Sequence, residues 1–87
     1  MKKKFHGEII SMGAEAILIR ERWYNIEVLK KVRIRKKYRH IVLDDSLRRK
    51  RTIREAKILL KAKMLGINCP TVLDIDVDNN IIVMDYI

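Results

Sequence analysis

Val28-Leu29-Lys30-Lys31-Val32-Arg33, followed by Lys36-Lys37-Tyr38-Arg39-His40, is the stretch that decides the fold. Trp23 to Val32 is β-branched and aromatic, which predicts a strand, whereas Arg33 to His40 is basic and aperiodic, which predicts a loop. On a period of two, Tyr24, Ile26 and Val28 share one face of that strand, while Leu29 and Lys31 share the other. Downstream, Arg51-Thr52-Ile53-Arg54-Glu55-Ala56 lies in helix-favouring sequence. A glutamate there can fix the rotamer of a strand lysine, which then offers a placed point charge to an anion.

The remaining elements follow from the same rules. Phe5 to Met12 predicts a first strand, Gly13 a break, and Ala16-Ile17-Leu18-Ile19 a second strand, with Glu21-Arg22 turning the chain into the third. Asp44 reads as the N-cap of a helix that begins near Asp45 and runs to Leu65. Leu47, Ile53, Ala56, Leu60 and Met64 fall on one stripe of it. Thr52-x-x-Glu55 also matches a capping box, so a start or restart at Thr52 stays open. Gly66 and Pro70 end the helix. Thr71 to Asp76 and Asn80 to Ile87 read as two strands joined through Asp78-Asn79-Asn80. The predicted class is α+β, in the order β-β-β-α-β-β: a five-stranded antiparallel sheet with one long helix.

Eighty-seven residues make at most one domain, and a 48% hydrophobic content with clear periods excludes disorder. The formal net charge of +9 points to an anionic partner, or else to a Lys/Arg/Glu-rich surface of the thermophile kind. Cys69 is the single cysteine, which excludes an internal disulfide and fits a reducing cytoplasm. Lys2 to Lys4 lead into Phe5-His6-Gly7-Glu8 rather than an apolar core, so no secretory leader is expected. No apolar run approaches the roughly 20 residues of a membrane span. The chain closes on the apolar strand Met84-Asp85-Tyr86-Ile87, which reads as an interrupted sequence.

The element order is that of a protein-kinase small lobe. The pattern G-x-G-x-x-G-x-V lies over Ser11-Met12-Gly13-Ala14-Glu15-Ala16-Ile17-Leu18, where only the central glycine survives. Ala16 partly preserves the close approach that glycines give phosphate, although a plain hairpin turn at Gly13 explains the segment as well. V-A-I-K lies over Val28-Leu29-Lys30-Lys31. Lys30 competes for the role, but Lys31 shares parity with Leu29, which would line an adenine site. Met84, Asp85, Tyr86 and Ile87 fall where a hinge would carry adenine, or else form an edge strand with Met84 in the core.

Six segments then occur in order: Gly13-Ala14-Glu15-Ala16, Lys31-x-Arg33, Lys36-Lys37-Tyr38-Arg39-His40, Leu43-Asp44-x-x-Leu47, Arg51-Thr52-x-x-Glu55-Ala56 and Gly66-Ile67-x-x-Pro70. Together they resemble the small atypical kinase of the KEOPS complex, PRPK-like and related to the RIO kinases. The resemblance covers nearly all of residues 7–87. It implies ATP with Mg²⁺ as cofactors, Ser/Thr autophosphorylation, and an ATPase activity supporting threonylcarbamoylation of tRNA adenosine by a partner subunit. It implies Lys31 as the phosphate lysine, Glu55 as its ion-pair partner, and Glu15 as a support of the atypical loop. The family continues into a large lobe with a catalytic Asp, a metal-binding Asn and an Asp-Phe/Tyr-Gly motif. None of these occurs here, so residues 1–87 are expected to form the small lobe only and to be inactive alone.

Two basic clusters remain. Lys36, Lys37 and Arg39, with Arg48, Arg49 and Arg51, are candidates for tRNA phosphates or an acidic partner surface, and equally for a solvated face. A small RNA-binding domain is the rival class, although Trp23, Tyr24, Tyr38 and Tyr86 are scattered rather than forming a stacking platform. An interaction module that self-associates through the exposed underside of the lobe is the third.

Overall fold

A single sheet of five antiparallel strands carries one helix in the computed structural model, which describes residues 7–86. The strands are β1 (Glu8–Met12), β2 (Ala16–Trp23), β3 (Ile26–Arg33), β4 (Val72–Asp76) and β5 (Ile81–Asp85), and the helix α1 is Ile41–Met64. Their spatial order is β1-β2-β3-β5-β4, with every neighbouring pair antiparallel. The β-β-β-α-β-β order and the α+β class are those expected from the sequence. Phe5, in the expected first strand, lies outside the described residues.

Register sorts the side chains between the two faces. Leu18 stands opposite Lys31, which stands opposite Ile82, and Leu29 stands opposite Met84. Directly opposed residues share a face, so these five share one. That face packs on α1: Ala56, Ile82 and Met84 form the core, with Leu29, Leu59, Val72 and Ile75 against it. On the other face Ile19 and Val28 are buried, and Ile19 opposes Lys30.

Several boundaries differ from the expectation. Glu21 and Arg22 do not turn; they continue β2, which runs through Trp23. The turn is Tyr24-Asn25, with both φ values positive at 44° and 72°. This is the backbone sign of a two-residue type I′ hairpin, whose twist suits the strands. The third strand accordingly begins at Ile26 rather than Trp23 and includes Arg33, which was expected in the loop. Asn80 also belongs to a turn, with φ 58°, and β5 begins after it.

The helix starts one turn before the expected cap. His40 is the N-cap, its ring nitrogen accepting from the Val42 N–H, and Asp44 lies inside the first turns. Thr52 caps nothing; it is buried in mid-helix with its hydroxyl donating to the Arg48 carbonyl at 2.7 Å. Gly66 takes φ 82°, and the Gly66 and Ile67 amides donate to the Lys63 and Ala62 carbonyls. This is a Schellman ending in which glycine accepts the left-handed backbone without strain.

The buried stripe is rotated from the expected one. Ala56 is buried as anticipated, but Leu60 and Met64 are exposed, and Asp44, Thr52 and Leu59 face the sheet instead. Polar and charged groups therefore fill the N-terminal half of the inner face, where periodicity of apolar residues carries no signal. In denaturant unfolding, Leu59→Ala is expected to lose about 2 kcal/mol or more and Leu60→Ala less than about 0.5 kcal/mol. Equal losses would contradict this orientation of α1.

Candidate functional site

The link between sheet and helix is a carboxylate held by two cations. Lys31 Nζ lies 2.7 Å from Glu55 Oε2, and Arg33 Nη2 lies 2.7 Å from Glu55 Oε1. Strand periodicity puts Lys31 and Arg33 on one face, and α1 presents Glu55 one residue before the buried Ala56. All three side chains are largely covered. The cluster keeps one surplus positive charge, which suits it to an anion.

Lys30, the alternative phosphate lysine, points to the other face. Its Nζ lies 2.9 Å from Glu21 Oε1 and 5.8 Å from the centre of the Trp23 ring. The alternation read from Leu29 and Lys31 therefore holds in three dimensions.

The turn after β1 is tied down on its far side. Gly13 N–H donates to the Ala16 carbonyl at 2.9 Å, a tight hairpin closure. A Cβ at Gly13 would meet nothing closer than 3.6 Å, so the turn itself does not demand glycine. Lys36 Nζ donates to the Ala14 carbonyl, the Ile34 amide donates to the Glu15 carbonyl, and Arg51 reaches Glu15 Oε1 at 3.3 Å. Glu15 thus couples the turn to α1.

Asp44 organises the basic loop beneath. It is fully buried, accepts from the Lys36 amide at 3.1 Å, and meets Arg39 at 3.2 Å and Arg48 at 2.8 Å. Arg48 also reaches Asp45 and the Arg33 carbonyl. Burial alone would raise the Asp44 pKa, but the Lys36 amide and the charges of Arg48 and Arg39 outweigh it and hold it below the ordinary 3.8.

Of the cations expected to meet a partner, Arg39 and Arg48 spend their charge on Asp44, while Lys36 and Arg51 hold the Gly13–Glu15 turn. Lys37 and Arg49 are exposed. Lys50, from the second basic cluster, continues into Arg54, Lys57 and Lys61, which sequence reasoning passed over, and the four line the outward face of α1 beside Ile53 and Ile58.

At the opposite end of the sheet, Met84 lies in the core with Leu29. The Asp85 amide donates to the Thr71 carbonyl and the Tyr86 amide to the Glu27 carbonyl. Those two donors, expected to meet an adenine edge, are engaged within the fold; Ile87 lies outside the described residues. Arg20 stacks on the Tyr86 ring at 4.9 Å and meets Glu27 at 2.7 Å. The Arg20 hydrogen bond, partly opposed by burial, lowers the Glu27 pKa.

Among the described residues no group of three His, Cys, Asp or Glu side chains could hold a metal ion. No helix of the described residues is long and apolar enough to cross a membrane.

Comparison with known proteins gives a consistent result. The chain is 45% identical over 86 residues to the KEOPS complex subunit Bud32 of Pyrococcus abyssi, covering 92% of this chain and 39% of that protein. It is 41% identical over 86 residues to a probable bifunctional tRNA threonylcarbamoyladenosine biosynthesis protein of Methanocaldococcus jannaschii, covering 99% of this chain and 16% of that protein. An EKC/KEOPS complex subunit of Schizosaccharomyces pombe is 42% identical over 80 residues, covering 91% of this chain and 34% of that protein. The chain thus spans well under half the length of these relatives. No family model matches it.

Because the Asp44 pKa is depressed in the fold, its contribution is present above pH 3.8 and is lost as pH falls through the folded value. Glu27 and Asp76, also lowered, act in the same direction. Thermal melts from pH 7 to pH 3 should therefore show Asp44→Asn less stable at neutral pH and less sensitive to acid. Parallel curves for variant and wild type would contradict the role of Asp44.

Proposed function

Since the chain belongs to the Bud32 family of KEOPS subunits, we propose that residues 1–87 act as the small, phosphate-gripping lobe of an atypical Ser/Thr kinase and ATPase. In this reading it supports formation of N6-threonylcarbamoyladenosine in tRNA, alongside the threonylcarbamoyl-transferase subunit of the complex. The observation that carries the proposal is the 2.7 Å contact between Lys31 on β3 and Glu55 on α1, on the sheet face shared with Leu29.

The residues fit a nucleoside triphosphate. Lys31 binds the phosphates as a point charge, and Glu55 holds its rotamer. Leu18 and Leu29 offer apolar surface for the base, with Met84 behind Leu29. Gly13, Ala14 and Glu15 form a cover over the phosphates, with Glu15 replacing the absent glycines by its tie to Arg51. ATP supplies the phosphoryl group when bound, and these side chains orient it.

The residues do not fit Mg²⁺ as a resident ion, because no cluster of metal-ligating side chains occurs among those described. The groups present bind and orient; a base and metal ligands belong to the large lobe that the resemblance implies. A cytoplasmic location accords with the lone cysteine and with a tRNA-modifying role.

The test is calorimetric binding and thermal stabilisation by a non-hydrolysable ATP analogue. Lys31→Met is expected to weaken binding by about tenfold or more, the worth of one charge-assisted hydrogen bond, while Lys30→Met leaves it unchanged. Binding that is equal in all three proteins, with salt-steep RNA binding in its place, would favour the RNA-binding reading.

A further inference from the structure

Resting on the phosphate-grip reading, we propose that Arg33 is a positioning residue: it holds Glu55, and with it α1, on the sheet while Lys31 engages phosphate. A strand lysine and a helix glutamate alone form a pair with no spare member. A phosphate that draws the lysine away then leaves the glutamate without its cation. Here the carboxylate has a second holder.

The division of labour follows from the geometry. Each cation takes a different oxygen of Glu55, both at 2.7 Å, so neither contact depends on the other. The Arg33 side chain is 15% exposed and that of Lys31 28%, so the arginine is the deeper anchor and the lysine lies nearer solvent and an incoming ligand.

The backbone at Arg33 is fixed from both sides. Its amide donates to the Asn80 carbonyl at 3.1 Å and its carbonyl accepts from Arg48 at 3.4 Å. Residue 33 also opposes Ala16, the first residue of β2 after the Gly13–Glu15 turn. Its Nε–H is buried without an acceptor among the described residues. The guanidinium is therefore held on the Lys31 side of the sheet, with its buried Nε–H still unspent.

Two cations on one carboxylate also leave the surplus charge that an anion requires. An arginine suits the holding role because its planar fork grips a carboxylate in a set orientation, whereas the lysine ammonium can swing on its stem. Arg33 acts on phosphate through Glu55 and Lys31, and it need not touch the ligand.

The test combines unfolding and anion binding on the full chain: wild type, Lys31→Met, Arg33→Met, the double variant, and Arg33→Lys. Inorganic tripolyphosphate is the probe, read by calorimetry. The double variant is expected to lose more stability than the two single losses combined, because only it leaves Glu55 without a cation. Adding Glu55→Gln to the double variant should recover part of that loss.

Arg33→Met should weaken tripolyphosphate binding about tenfold, since Lys31 then becomes the sole partner of Glu55, and Arg33→Lys should restore most of it. Strictly additive stability losses, or wild-type tripolyphosphate binding in Arg33→Met alongside a loss in Lys31→Met, would overturn the role of Arg33 alone. Unchanged binding in Lys31→Met would instead overturn the phosphate-grip reading beneath it. Should Arg33→Met fail to fold, Arg33→Lys supplies the comparison: tripolyphosphate binding between that of wild type and Lys31→Met supports the role, and binding no better than Lys31→Met overturns it.

Discussion

One carboxylate joins the two halves of this fold. The apolar core between α1 and the sheet lies at the C-terminal half of the helix, where Ala56 and Leu59 join Ile82, Met84 and Leu29. Glu55 sits at the boundary of that core, and its two oxygens reach Lys31 and Arg33 on β3. An ion pair open to water is worth little, but one that is largely covered leaves a costly unpaired charge when a partner is lost. The same contact that docks the helix sets the position of the lysine.

The N-terminal half of α1 solves a different problem. It faces a loop dense in positive charge, which apolar side chains cannot hold. Asp44 does so from full burial, gathering the Lys36 amide, Arg39 and Arg48, while Thr52 closes the stripe by bonding the Arg48 carbonyl. Lys36 and Arg51 then pass the connection to the Gly13–Glu15 turn. The chain of contacts from Asp44 to the turn gives the loop a fixed shape without a glycine-rich sequence. Much of the charge in the loop and the first turns of α1 is thus consumed internally, while the outward face of α1 carries a further row of cations.

Lys31 and Glu55 were legible because strand parity and helix placement are local properties, and so was the Gly66 ending. The Tyr24-Asn25 turn was not, because a type I′ turn normally announces itself with glycine and Tyr24 has strand propensity. Asp44 looked like a cap because aspartate favours that position, yet its side chain is committed to arginines that only the folded loop brings near. Its spacing of four from Arg48 was the available signal. Leu60 shares an apolar stripe with Leu47, Ile53 and Met64, whereas Leu59 lies on the face that carries Asp44 and Thr52, where apolar periodicity gives no signal. Arg33 was placed in the loop by its charge, although its parity with Lys31 already put it beside the site.

The central claim is that Lys31, held by Glu55, is the lysine that meets phosphate. An acyl-phosphate derivative of ATP transfers its acyl group to the amine nearest the phosphates, and mass spectrometry identifies the labelled residue. The account expects acylation of Lys31 that excess ATP suppresses, with little at Lys30 or Lys36. Labelling centred on Lys30 or Lys36, or spread evenly over the surface lysines and insensitive to ATP, would contradict it.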